Sequence, residues 1–362
     1  MVVVDVALFV LGLAVVLWVL ASAIVTVLVP RGDSSLLSRA LFVTSNRAFE
    51  AAARAASSES RSDAIRARFA PVTLIALPAT WALGIMAGFV PLFWAVGVRP
   101  FGEVLVLTGS SLTTLGFARP NEGPAVGLAV AEGLVGLAIV ALLISFLPTI
   151  YGHFSRREVK VTKLASRAGS PPTPAELIVR AERISGLDGL DELWSEWERW
   201  FFELEESHTS YAALVFFRSQ AMGRSWILAA GAVLDGAALR ASTVDRPRSA
   251  EAELCIRAGF LALRAVADSF DVDHDRNPRP DDPISVTRSE FDAVYEQLRA
   301  EGVPLRPDRD QAWRDWAGWR VNYDAVLLAL CGMIQPPPAP WSSDRAPAYR
   351  PPAIRRKRRS RA

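Results

Sequence analysis

The chain has 362 residues, 51% hydrophobic and 22% charged, with a formal net charge of +2. The length suggests two domains, and so small a net charge gives no footing for nucleic acid as a partner. The long apolar runs crowd ahead of Tyr151, while charge fills 31–69 and everything after 155; a soluble protein would mix the two.

In chain order, the first segment is 1–30, where Val2–Val29 is broken only by Asp5. A bilayer core of roughly 30 Å needs about 20 apolar residues in a helix, so this run spans. It has no basic leader and is followed by Pro30-Arg31, which predicts a retained helix and not a cleaved signal. Residues 31–69 set Leu36, Leu37, Ala40, Leu41 and Phe49 against Ser, Asn and Arg. That pattern predicts one or two amphipathic helices, either lying on the inner leaflet or serving as a solvated linker. A second span covers 70–98 without a charge, and a third covers 124–154 with one acid, Glu132.

Between them lies 101–119, whose apolar part, Val104–Leu107, is too short to cross and continues through Thr108, Gly109, Ser110, Ser111, Thr113 and Thr114. Such a piece is a surface loop or a half-helix that enters the membrane and returns, since irregular backbone survives at that depth only when protein covers it or it lines a water-filled path. Seven Arg from Arg31 to Arg68, with Arg156, Arg157, Lys160 and Lys163 after the third span, outweigh Arg99 and Arg119 in the loop 99–123. The positive-inside rule therefore predicts that 31–69 and the C-terminus face the cytoplasm. The fold expected is an all-α membrane protein with three transmembrane helices, a re-entrant piece and a helical cytoplasmic domain.

Ser111-Leu-Thr-Thr-Leu-Gly-Phe117 resembles the pore loop and selectivity filter of the potassium channel superfamily, whose filter reads Thr-x-Gly-Tyr/Phe-Gly-Asp. The resemblance runs from Ala70 to Phe154 and implies a pore domain over 70–155: outer helix, pore helix, filter and inner helix. It implies that the pore helix ends near Thr113, and that Thr113, Thr114, Leu115, Gly116, Phe117 and Ala118 form the filter. Backbone carbonyls of four copies would then replace the hydration shell of potassium or sodium. It further implies a homotetramer, passive conduction across the plasma (inner) membrane, and Phe117 packed outward as a cuff around the filter. Gly116 would supply backbone angles closed to other residues.

Two positions depart from the family pattern. Ala118 replaces a Gly and Arg119 replaces an Asp. The first predicts a distorted outer carbonyl ring, and the second a raised potential at the outer mouth. The alternative they motivate is a non-conducting membrane sensor or interaction protein built on a degenerate pore loop. Glu132, within the third span, has three readings: a bond to the back of the filter or pore helix, a position facing a water-filled cavity, or an interfacial helix-end acid. Gly133 and Gly136 read either as a hinge of the inner helix or as a face for close packing, and Pro148 predicts a kink.

From 156 to 334 the pattern is soluble and helical. Thr173-Pro-Ala-Glu176 predicts a helix start. Trp194, Trp197, Phe201 and Leu204 share one helical face, as do Trp313, Trp316, Arg320 and Tyr323, and both stripes read as core. Further helices are expected over 208–240, 249–270, 287–301 and 309–334. Cys255 and Cys331 read as reduced core thiols. Asp271-Val-Asp-His-Asp275 resembles the start of a calcium loop but has Arg276 where Gly is demanded, so it reads as an acidic surface loop. His153, His208 and His274 lie far apart without zinc or triad spacing. No enzyme activity, cofactor or metal beyond the permeant ion is expected. Residues 335–362, Pro-rich and then Arg-rich, predict a disordered tail, either touching anionic lipid or simply solvated.

Overall fold

The computed structural model describes residues 2–28, 35–120 and 123–348. Among these every regular element is a helix: α1 (Val2–Leu28), α2 (Leu36–Arg54), α3 (Glu59–Ala95), α4 (Phe101–Leu112), α5 (Pro124–Ala168), α6 (Pro174–Ile184), α7 (Leu190–Ser210), α8 (Trp226–Ser242), α9 (Ala250–Ser269), α10 (Arg288–Ala300), α11 (Arg309–Arg320) and α12 (Asp324–Ile334). Three of them, α1, α3 from Ser60 and α5, are long and apolar enough to cross a membrane. The chain divides into one compact unit ending at Tyr151 and a second beginning at Gly152.

In the first unit α1 and α3 run antiparallel at close quarters. A Cβ added to Gly12 would meet the Gly88 carbonyl oxygen at 2.5 Å, and one added to Gly84 would meet Val19 at 2.9 Å. Small residues let apolar helices approach until dispersion contacts hold them, the working force where lipid removes the hydrophobic drive. Val16, Val19, Leu77, Trp81, Ile85, Phe89 and Phe93 fill this seam and continue into Val104, Leu107 and Leu112 of α4. α3 continues through Pro71, Pro78 and Pro91; a proline is tolerated in a spanning helix because neighbouring groups can take up the freed carbonyl.

From Ser35 on, the segment 31–69 forms α2 and the first turns of α3, the one or two helices expected. α3 starts at Glu59 behind the cap Ser58, whose hydroxyl accepts the Arg61 N–H at 3.3 Å. Its first turns pack back on α2 as a hairpin. Arg66 grips the Glu50 carboxylate with two bonds of 3.0 and 3.1 Å, and the rings of Phe42 and Phe49 lie 5.2 and 5.9 Å from Phe69. The helix that holds the second apolar stretch therefore begins before Ala70, and the one that holds the third continues past Phe154. α5 is unbroken for 45 residues, through Pro148 and on to Ala168.

The second unit is built around α8, which is buried along almost its whole length. α7 brings the expected stripe, Trp194, Trp197, Phe201 and Leu204, all buried, and α9 packs beside it, with Gly259 against Phe201 and Leu234. The expected helix 208–240 is two helices parted by an irregular stretch, and 309–334 breaks at Val321–Tyr323 into α11 and α12. Thr173 caps α6 as anticipated, accepting the Glu176 N–H at 3.3 Å. Cys255 and Cys331 are free and buried.

The stripe on α11 ends in a buried ionic knot. The Arg320 guanidinium donates to both Asp235 oxygens at 2.6 and 2.7 Å, to Asp324 at 2.7 Å and to the Trp341 carbonyl at 2.6 Å. Tyr323 adds a bond of 2.8 Å to Asp235. This knot overturns the tail boundary at 335. Residues 335–348 fold over the domain as a strap, with Ala339, Trp341 and Ser342 buried and Arg345 paired to Glu290 at 2.7 Å. The basic run Ile354–Ala362 lies outside the described residues.

Candidate functional site

The piece between the second and third spans is a 12-residue helix, α4, followed by a polar loop that reaches Pro120. Thr113 closes α4: its N–H and its hydroxyl both bond the Gly109 carbonyl, at 3.2 and 2.6 Å. The chain then reverses through two left-handed residues, Thr114 at φ +57° and Gly116 at φ +70°. The glycine adopts this at little cost. For a β-branched threonine it is an outlier costing on the order of 1–3 kcal/mol, and such strain persists only where the surroundings enforce it.

Ser110 does the enforcing. Its carbonyl accepts the N–H groups of Leu115 and Gly116 at 3.1 and 3.4 Å, and its hydroxyl accepts the Ala118 N–H at 3.0 Å and lies 3.3 Å from the Ala118 carbonyl. One fully buried serine thus clasps the loop at its middle and its far end. Sequence reasoning passed over Ser110 as one polar residue among several; the signal available was its place one helical turn before Thr114.

Ala118 is not among the residues with positive φ, and its N–H donates to the Ser110 hydroxyl at 3.0 Å. Arg119 turns back, its Nε 3.4 Å from the Gly116 carbonyl. Leu115 and Phe117 are 71% and 68% exposed within the single chain.

Behind the loop stands α5. A Cβ on Gly136 would fall 2.0 Å from the Leu112 carbonyl oxygen, and one on Gly133 would lie 3.4 Å from that of Ser111. These glycines let the inner helix touch the carbonyl end of α4; α5 runs through them without a break, which favours close packing over a hinge. Glu132, one turn before Gly136, is fully buried in line with Ala125, Leu128, Ala129 and Ile139. Neither of its carboxyl oxygens has a hydrogen-bond partner among the described residues, nor does the buried Thr108 hydroxyl. The exposed readings of Glu132, cavity-facing or interfacial, do not fit a single chain in which it points into protein. It also makes no bond to the loop.

The structure thus brings Thr113–Arg119 together with Gly133 and Gly136 around the end of α4, with Glu132 buried one turn away. Elsewhere, the run Asp271–Asp275 neighbours Arg276, which pairs with Asp268 at 3.3 Å, and no group of His, Cys, Asp and Glu among the described residues is arranged to hold a metal ion. Compared with protein-family models, curated proteins and solved structures, the chain has no match in any of the three.

Proposed function

We propose that the chain is one subunit of a homotetrameric monovalent cation channel of the potassium pore-loop type. On this reading it resides in the plasma (inner) membrane, with the α2 hairpin and the second unit in the cytoplasm. The observation that carries the reading is the short helix α4 between two spanning helices, ending in a loop held by Ser110 with Thr114 and Gly116 in left-handed backbone. The carbonyl end of a helix favours a cation, and a strained polar turn at membrane depth calls for a function. A second support is the coverage of α5: only 22% of its most apolar window is buried by its own chain. A helix left so bare can be covered by sister subunits arranged around an axis.

The Arg119 side chain on the Gly116 carbonyl favours the alternative, a pore-loop protein that does not conduct. Purified protein in liposomes with potassium or sodium gradients separates the two. The channel reading expects cation flux from a chemically cross-linked tetramer, increased several-fold by Arg119→Gln, which removes four positive charges from one mouth. A monomer or dimer by cross-linking would sink the channel reading. A tetramer silent in both the native and the Arg119→Gln forms would leave the non-conducting alternative.

A further inference from the structure

Below the membrane-spanning stretch, α5 carries Arg157, whose five N–H groups are all used inside the second unit. Nε and Nη2 donate to Glu158 at 3.1 and 3.0 Å, Nη2 to the Phe217 carbonyl at 2.6 Å, Nη1 to the Leu214 carbonyl at 2.8 Å, and Nη1 to His208 Nε2 at 3.1 Å. An arginine only donates, so His208 Nε2 must accept. The imidazole is therefore neutral, with its proton on Nδ1, which faces the Ser207 hydroxyl at 3.0 Å. That hydroxyl in turn donates to the Glu203 carbonyl at 2.6 Å. The other face of the ring lies 5.0 Å from Trp226, whose Nε1 donates to the Val215 carbonyl at 3.0 Å. Arg157, His208 and Trp226 thus hold the short 3-10 turn Ala212–Phe216 and the adjoining Phe217 against α5 and α7.

A proton can reach this knot. A cavity of about 440 Å³ is lined by His153, Arg156, Arg157, Glu203, Glu206 and His208, and Arg156, Glu203 and Glu206 on its rim are exposed. We infer that His208 is an acid-sensing latch: while neutral it accepts Arg157 and fastens α5 to the turn 212–217, and a proton on Nε2 removes that acceptor and releases the turn. Protonation while the latch is still closed would set two cations 3.1 Å apart in a buried place, where like charges repel strongly, and this drives the release.

The charges facing the ring come from α5 (His153, Arg156, Arg157, Glu158) and from α7 (Glu203, Glu206); the turn 212–217 offers only carbonyls, and α8 offers Trp226. Burial, and then the Arg157 charge, hold the His208 imidazole well below the ordinary histidine value of 6.5. A depressed folded-state value means the latch contributes fully above about pH 6.5, and its contribution drains away as pH falls below that, because the released chain binds the proton better. The inference is independent of the channel reading.

The test uses full-length protein in lipid nanodiscs. Hydrogen exchange at amides 212–217, corrected for the intrinsic effect of pH, is compared at pH 7.5 and 5.0. The latch predicts a protection loss of about tenfold or more in the native chain. It predicts no such loss in His208→Gln, whose amide oxygen still accepts from Arg157 but cannot be protonated. Unchanged protection in the native chain, or an equal loss in His208→Gln, would overturn it. If the variant fails to fold, Trp226 fluorescence decides, taken as native minus Trp226→Phe. Quenching by the protonated ring with a midpoint below pH 6.5 supports the latch, and a flat signal overturns it.

Discussion

At the scale of single residues, Gly133 and Gly136 make a sharp comparison. Both lie on the α5 face that meets α4, but an added methyl would sit 3.4 Å from a carbonyl oxygen at Gly133 and 2.0 Å from one at Gly136. The first is ordinary contact; the second is an overlap with backbone that cannot swing away. Gly136→Ala is expected to destabilise the first unit by at least about 2 kcal/mol, with Gly133→Ala close to neutral, as checked by thermal melting in detergent. Equal behaviour of the two variants would mean that α5 does not lean on α4. The sequence singles out both glycines, together with Glu132 and the loop 113–119, because a charge inside a span and a polar run between spans are local anomalies. Ser110 escapes such a reading because a serine near the end of a helix is ordinary in composition. Only the folded backbone shows that it reaches both Gly116 and Ala118.

At the scale of elements, the helices of the second unit are legible in the sequence wherever an aromatic stripe repeats, as on α7. The sequence expectation runs through the breaks within 208–240 and 309–334; the polar run Arg218–Ser225 with Gly223 at φ +75° marks the first, while Val321–Tyr323 is too short to stand out. The strap 335–348 was misread for a different reason. Its Pro-rich composition resembles disorder, while what holds it is a partner 21 residues back, Arg320, which is itself tied to Asp235 85 residues away. Replacing Arg320 with Leu would strand the Asp235 carboxylate in the core, and removing one member of a buried pair costs about 3–5 kcal/mol. The expected outcome is a large drop in the melting temperature of the second unit, along with protease cleavage of the strap near Trp341. An Arg320→Leu protein that melts like the native one would mean that the knot carries little of the strap's stability.

At the scale of the whole molecule, three spans and a short helix between the last two were readable from hydropathy and length, since the thickness of a bilayer sets a strict ruler. Their ends were not. Arg61–Arg68 and Arg156–Lys163 look like loop borders by charge, yet both belong to helices that continue past the apolar stretch. The second unit has its own core, from Trp194 and Trp226 to Trp316 and Leu327. A fragment beginning at Gly152 is therefore expected to be soluble, helical by circular dichroism and cooperative on heating. A fragment that aggregates or melts without a transition would show that the core depends on the preceding spans.

The bare flank of α5, with Leu134, Leu137, Val140 and Ile144 exposed, has a consequence for inheritance. On the proposed assembly of copies through this flank, a chain damaged elsewhere would be recruited as readily as an intact one. On the four-copy reading, a cell making equal amounts of working and broken chains would assemble roughly one fully intact complex in sixteen. Lesions in the loop after α4 would then behave as dominant alleles, whereas lesions that spoil the α5 flank itself, by keeping the damaged chain out of the assembly, would be recessive.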